Sequence, residues 1–206
     1  MDSTAHNQEF KIILGSSSVA RKKIMADMGF KFTTMSADID EKAIRKEKAK
    51  DLVMTLAEAK ADAIIGKLEN LGNEEKDAKP TVVVSADTVV VYEGVIREKP
   101  SSKEEARQFI KGYSGGHAAT VSSVLVTNLS NGSRKGGWDK VEIHFHDIPE
   151  EVIEKLIEEA PVLNVAGGLI IEHPLVVPYV KEVVGGTDSV MGLPKDLTRR
   201  LMKEVL

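Results

Sequence analysis

Thr81-Val82-Val83-Val84-Ser85-Ala86-Asp87-Thr88-Val89-Val90-Val91-Tyr92 carries the clearest strand signal in the chain, two valine runs around a short polar insert. An aspartate inside such a run is costly to bury without partners, so the insert marks either a site or a structurally paired acid. Glu93-Gly94 then reads as a tight turn into a second short strand, Val95–Arg97. Upstream, Lys11–Leu14 is a short apolar strand that ends in Gly15-Ser16-Ser17-Ser18, and Val19–Met28 continues with helical spacing at Ile24, Met25 and Met28. That order of strand, small-residue turn and helix exposes backbone N–H groups at a helix start.

Phe30–Met35 is expected to form a further strand. Asp38, Asp40 and Glu41 lead into a long helix expected from Glu41 to Lys67, with Leu52, Leu56, Ala59 and Ala63 near one face. Leu68–Lys79 is polar, contains glycine and reads as a mobile connection. Lys103–Tyr113 is helical, with Ala106, Phe109 and Ile110 inward. His117–Thr127 and Lys140–His146 read as strands joined around Asn131-Gly132. Pro149 opens a helix through about Glu159, and a last helix starts near Pro194. Helices and strands interleave, so the class is α/β, and the hairpins make the sheet mixed.

The 206 residues suffice for one sizeable domain, or two lobes sharing a cleft. Residues 1–10 are polar and are expected to be a disordered start without a signal-peptide layout, and 11–206 to form the single domain. A chain 42% hydrophobic and 29% charged is not globally disordered. Twenty-eight basic against thirty-two acidic residues give a formal charge of −4, which offers no overall attraction to a nucleic-acid polymer. There is no cysteine, which excludes disulfides, thiolate metal sites and cysteine nucleophiles and fits a reducing, cytoplasmic setting. Apolar runs such as Leu175–Val180 fall far short of the ~20 residues a membrane-spanning helix needs.

Four places can carry chemistry. Ser16, Ser17 and Ser18 before Arg21 combine a helix N-terminus, hydroxyl donors and a guanidinium, a set suited to phosphate oxygens; the plain alternative is a serine cap before a solvated basic face. Ser85-Ala86-Asp87-Thr88 is the second. Arg97-Glu98-Lys99-Pro100 is the third, since a lysine fixed by the following proline can meet the Asp87 end of the sheet. Asp38-Ile39-Asp40-Glu41 can hold a hard cation through oxygen ligands or simply complement a helix dipole. His144 and His146 share a strand face with Glu142, which the alternation of a half-exposed strand explains without a metal. No P-loop, dinucleotide fingerprint or nucleophile elbow is present.

Taken in order, these pieces resemble the Maf family of nucleoside triphosphate pyrophosphatases. They run from Leu14-Gly15-Ser16-Ser17-Ser18 with Arg21, through Asp40-Glu41 and Leu56-Ala57-Glu58-Ala59-Lys60, to Ser85-Ala86-Asp87-Thr88-Val89-Val90. Glu98-Lys99-Pro100, Tyr113-Ser114-Gly115-Gly116-His117, Ala166-Gly167 and Val190-Met191-Gly192-Leu193-Pro194 complete the series. The resemblance implies an elongated mixed sheet flanked by helices, with two lobes and a deep cleft. It implies hydrolysis of a nucleoside triphosphate to the monophosphate and pyrophosphate with a divalent cation, magnesium or manganese. By motif, Ser16, Ser17, Ser18 and Arg21 would hold phosphates, Glu41 and Asp87 would bind metal or activate water, and Lys60 and Lys99 would neutralise the triphosphate. Asp87 is the leading candidate for general base, since it breaks an apolar strand.

Three positions bear on the base. Ala20 stands where the family usually has the first arginine of Ser-Pro-Arg-Arg. Thr88 matches the branch acting on thymidine and uridine triphosphates, whereas Glu172 matches the branch acting on 7-methyl-GTP. Asn164-Val165-Ala166-Gly167 replaces the usual Asp-Lys-Ala-Gly. The resemblance is compatible with a twofold dimer, and with a rival reading as a nucleotide-binding regulator of septum formation that does little catalysis.

Overall fold

The computed structural model describes residues 8–71 and 79–206. Among them a seven-stranded sheet has the order β2-β1-β3-β5-β6-β7, with β4 also paired to β3. The strands are β1 (Lys11–Leu14), β2 (Thr33–Thr34), β3 (Thr81–Tyr92), β4 (Val95–Arg97), β5 (His117–Asn128), β6 (Arg134–Phe145) and β7 (Val180–Val184). The helices are α1 (Val19–Asp27), α2 (Ala49–Asn70), α3 (Lys103–Tyr113), α4 (Glu150–Glu159), α5 (Thr187–Val190) and α6 (Lys195–Val205). β2, β1 and β3 are parallel and the remaining pairs antiparallel, the mixed sheet expected of this α/β chain.

β3 organises the molecule. One of its edges pairs with β5 continuously from Val82 to Val91. The other edge is shared: Thr81–Val84 pair with β1, and Val90–Tyr92 pair with β4. Between Leu14↔Val84 and Arg97↔Val90 no strand among the described residues covers that edge, so the polar insert lies beside an opening in the sheet. β1 runs toward this opening and ends there in the serine turn. β4, antiparallel to β3, also runs toward it and ends in Glu98 and Lys99.

Alternation along β3 separates two functions. Residues 83, 85, 87, 89 and 91 face α2, whose Leu52, Val53 and Leu56 pack with Val89 and Val121 while Ile64 and Leu68 pack with Val83. Even-numbered residues face the opposite side, which carries two separate cores. Val82, Val84 and Ala86 join α1 (Ile24, Met25) and α6 (Leu201, Met202, Val205). Val90 joins α3 (Ala106, Ile110, Tyr113) and α4 (Ile153, Leu156, Ile157). Thr88, the one even position between Ala86 and Val90, belongs to neither. Its neighbours on β5, Ser122 and Thr120, are polar too, so a hydrophilic seam divides two lobes on this face.

Several boundaries differ from expectation. The long helix starts at Ala49 rather than Glu41; Glu41–Ala43 make one 3-10 turn, and Ile44 is extended (φ −89°, ψ 118°). Ile39 and Ile44 both pack on the same cluster as Leu52 and Val53. Both are partly buried there, and the extended backbone at Ile44 lets the chain pack along that cluster before α2 begins. The strand expected at Phe30–Met35 shrinks to Thr33–Thr34, with Phe30 and Phe32 turned into the α1–α6 core. β6 begins at Arg134, six residues before expectation. Of the expected disordered start, residues 1–7 lie outside the described residues. Gln8 donates to the carbonyls of Phe10 and Lys31, and the Phe10 ring lies 6.1 Å from that of Phe30. Most of the connection Leu68–Lys79, residues 72–78, also falls outside the described residues; Leu68 to Asn70 close α2.

Candidate active site

On the α2 face, two serines of the sheet donate to carbonyls of the helix. Ser85 Oγ donates to Ala57 O at 2.7 Å and Ser123 Oγ to Val53 O at 2.6 Å. These carbonyls lie one turn apart, so the helix is indexed to the sheet, and Ala57 and Ala61 let it approach closely. Less than one turn beyond Ala57, Lys60 Nζ reaches Asp87 Oδ1 at 2.5 Å and Glu41 Oε1 at 3.2 Å. Lys60 and Asp87 are 8% and 7% exposed, which makes theirs a desolvated charge pair. The Glu41 side chain is 40% exposed, so the group opens to solvent on that side. The burial cost foreseen for the Asp87 carboxylate is therefore offset by Lys60, while Ser123 Oγ accepts from the Asp87 backbone amide at 3.3 Å. Two carboxylates against one ammonium leave net negative charge.

On the lobe face, Ser18 Oγ caps α1 by accepting from Arg21 N at 3.3 Å, and Ser16 Oγ accepts from Ser18 N at 3.1 Å. Ser17 is exposed. Arg21 crosses to the seam, where Nε donates to Gly192 O at 2.8 Å and Nη2 to Thr88 Oγ1 at 3.0 Å. Burial pulls the Arg21 guanidinium below its ordinary value, while Asp87 and Glu41 raise it; arginine stays charged throughout. Gly192 has φ +104°, and a Cβ there would sit 3.0 Å from Arg21 Nε and 3.1 Å from Thr88 Oγ1, so only glycine fits.

Asp87 and Thr88 thus point to opposite faces beside the open edge of β3, and the two carboxylates of the α2 side, Asp87 and Glu41, act electrostatically on Arg21. Lys60, Asp87 and Glu41 form a contact group, and Arg21 and Thr88 form another. Ser16 and Ser18 stand at the start of the helix that carries Arg21, with Ala20 beside it. Lys99 follows β4 at the opening; it is exposed and makes no ion pair or hydrogen bond among the described residues. Glu172 is likewise exposed, beyond Ile170 and Ile171 of the α3–α4 core, and touches none of these groups.

Sequence reasoning missed Ser122 and Ser123, and it named Arg97 and Glu98 without finding what holds them. Ser122 and Ser123 hid inside a valine-rich strand. Arg97 is enclosed by aromatic rings, its Cζ 4.1 Å from the Tyr92 centroid, 4.4 Å from Phe109 and 5.2 Å from Tyr113. Glu98 O accepts from Gly167 N at 2.9 Å, so Lys99 is flanked by two anchored neighbours in Glu98 and the buried Pro100. The His144–His146 face holds no metal arrangement: among the described residues no three histidine or acidic side chains converge as a cage. Instead His144 stacks on His117 at 5.4 Å, and the pairing of β6 with β7 shifts register between His144 and Phe145.

The family model described as Maf-like protein matches residues 11–205. The chain belongs to the Maf family. The match takes in every element from β1 to α6, hence both faces of the opening. The chain is similar to the 7-methyl-GTP pyrophosphatase of Dictyostelium discoideum, 39% identical over 94% of this chain and 96% of the relative. It is also similar to the dTTP/UTP pyrophosphatase of Alkaliphilus metalliredigens, 30% identical over 89% and 90% of the two chains. The nucleoside triphosphate pyrophosphatase of Chlamydia muridarum is 28% identical over 94% and 93%. Among the described residues of this Maf-family chain, no helix is long and apolar enough to cross a membrane.

Proposed function

We propose that this protein hydrolyses a nucleoside triphosphate to the monophosphate and pyrophosphate at the opening beside β3. The observation that carries the reading is Lys60 held between Asp87 and Glu41, with Arg21 at the next residue of the strand, Thr88. Attack at the α-phosphorus needs an oriented water and stabilisation of the charge that builds on the departing pyrophosphate. Asp87 Oδ1 is engaged by Lys60, which leaves Oδ2 to take the proton of the attacking water. Lys60 and Lys99 neutralise the leaving group, and Arg21 with the Ser16–Ser18 turn holds phosphate oxygens.

Glu41 and Asp87 present hard oxygens and net negative charge, a donor set that suits magnesium or manganese completed by substrate phosphates. When bound, the cation supplies charge neutralisation at the triphosphate oxygens. Glu41 and Asp87 would hold it.

For the base, the reading favours a methylated guanine nucleotide over a pyrimidine. Glu172 offers an exposed carboxylate able to accept from a guanine edge or pair with a cationic methylated ring, and the relative named for 7-methyl-GTP shares more of the sequence than those named for dTTP/UTP. Ala20 and Thr88 flank Arg21 and complete the set assigned to base selection. A cytoplasmic, dimeric enzyme belongs to the same reading.

The test is pyrophosphate release from 7-methyl-GTP, dTTP, UTP and the common triphosphates with magnesium or manganese. Turnover of at least one of them is expected. Binding of nucleotides with no turnover on any would overturn the reading in favour of a regulator.

A further inference from the structure

Thr88 and Arg21 belong to a closed ring of hydrogen bonds whose direction follows from counting protons. Thr88 Oγ1 and Ser122 Oγ are 2.9 Å apart, and Ser122 Oγ lies 2.9 Å from Ser189 O. A carbonyl oxygen only accepts, so the single Ser122 proton goes to Ser189. Thr88 must then donate to Ser122 and accept from Arg21 Nη2. The second arm starts at Arg21 Nε, which donates to Gly192 O, and the Gly192 amide donates to the same Ser189 carbonyl at 3.0 Å. Both arms from the guanidinium thus end on one oxygen, Ser189 O. Ser122 is fully buried, and its removal leaves Thr88 without a defined acceptor.

With Nε and Nη2 engaged, Arg21 Nη1 has no partner among the described residues. We infer that Ser122 is a positioning residue for the reaction: through Thr88 it fixes the Arg21 guanidinium so that Nη1 is presented to a triphosphate oxygen. The inference rests on the proposed role of Arg21 in phosphate binding. It also limits Thr88 to one remaining acceptor lone pair toward any ligand, since its proton is committed to Ser122.

A double-mutant cycle tests this with Ser122→Ala, Arg21→Ala and the combined variant, read as kcat/KM on the best-hydrolysed nucleotide of the panel. Ser122→Ala is expected to lower kcat/KM about tenfold in the parent, as for a lost hydrogen bond tied to a charged group. In the Arg21→Ala background the same change is expected to have less than about a twofold effect, because the guanidinium it aims is gone. A purely structural serine would act equally in both backgrounds. Equal factors in the two backgrounds, or no effect of Ser122→Ala while Arg21→Ala is crippled, overturn the inference and leave the Arg21 reading standing. Parental kcat/KM in Arg21→Ala overturns the Arg21 reading itself, and the inference with it. If Ser122→Ala does not fold, Ser122→Cys, similar in size with a weaker donor, goes through the same cycle.

Discussion

Replacing Asp87 by asparagine removes one charge from the buried pair while keeping its shape. Lys60 Nζ lies 2.5 Å from Asp87 and 3.2 Å from Glu41, and Coulomb attraction scales inversely with distance. At equal screening Glu41 therefore supplies about three quarters of the attraction that Asp87 does. Breaking an isolated buried pair costs about 3–5 kcal/mol because the survivor is stranded. Here Lys60 keeps Glu41, and the asparagine carbonyl still accepts, so the expected loss is about 1–3 kcal/mol. In a chain of this length that is a fall in Tm of about 2–12 °C. The turnover loss is of another order: without the carboxylate to take the proton, kcat is expected to fall about 10²–10⁴-fold. Pyrophosphate release at saturating nucleotide gives the second quantity and scanning calorimetry the first. Parental kcat in a folded Asp87→Asn protein would refute Asp87 as the base. A Tm drop far beyond this range with residual activity intact would make Asp87 structural alone.

Glu172→Gln is expected to reorder kcat/KM among 7-methyl-GTP, GTP and UTP while leaving the metal requirement unchanged; a uniform loss on every base would assign Glu172 to folding or catalysis. Glu105 accepts from the amide and hydroxyl of Ser101, which hold its carboxyl below the ordinary carboxylate range while Ser102 caps α3. A lowered folded pKa means its contribution is present above the unfolded value, about 4.3, and is lost as pH falls through the folded one. Glu105→Gln should thus lower Tm near neutrality, with the gap to the parent closing in acid; a gap that is constant with pH would contradict the assignment.

The valine runs around Ser85–Thr88 made β3 legible, and the serine turn after a short strand made the start of α1 legible, because both patterns are local. What stayed hidden depends on partners distant in sequence. Arg134–Asp139 falls outside the strand expected at Lys140–His146, yet it belongs to β6, where a Cβ at Gly136 would meet Met54 and Leu125, and one at Gly137 would meet Leu197. Those glycines are a packing demand of α2 and α6 on the strand between them. Acids commonly open helices, which makes Glu41 read as helical; the partly buried pair Ile39 and Ile44 overrides that preference, and the carboxylate turns toward Lys60. Ser122 gave no signal, since serine in a valine-rich strand acquires meaning only through the carbonyl opposite it.

The adjacency of Asp87 and Thr88 on opposite faces makes β3 intolerant of length change in a way substitution data would not reveal. One residue gained or lost between Val84 and Asp87 reverses the parity of everything after it. The carboxylate would then point into the seam toward Arg21 and the hydroxyl toward Lys60, while Val90 would leave its core. Such an indel keeps composition almost intact yet exchanges the two halves of the chemistry, so this strand behaves as a frame whose phase, more than any single letter, is what inheritance must preserve.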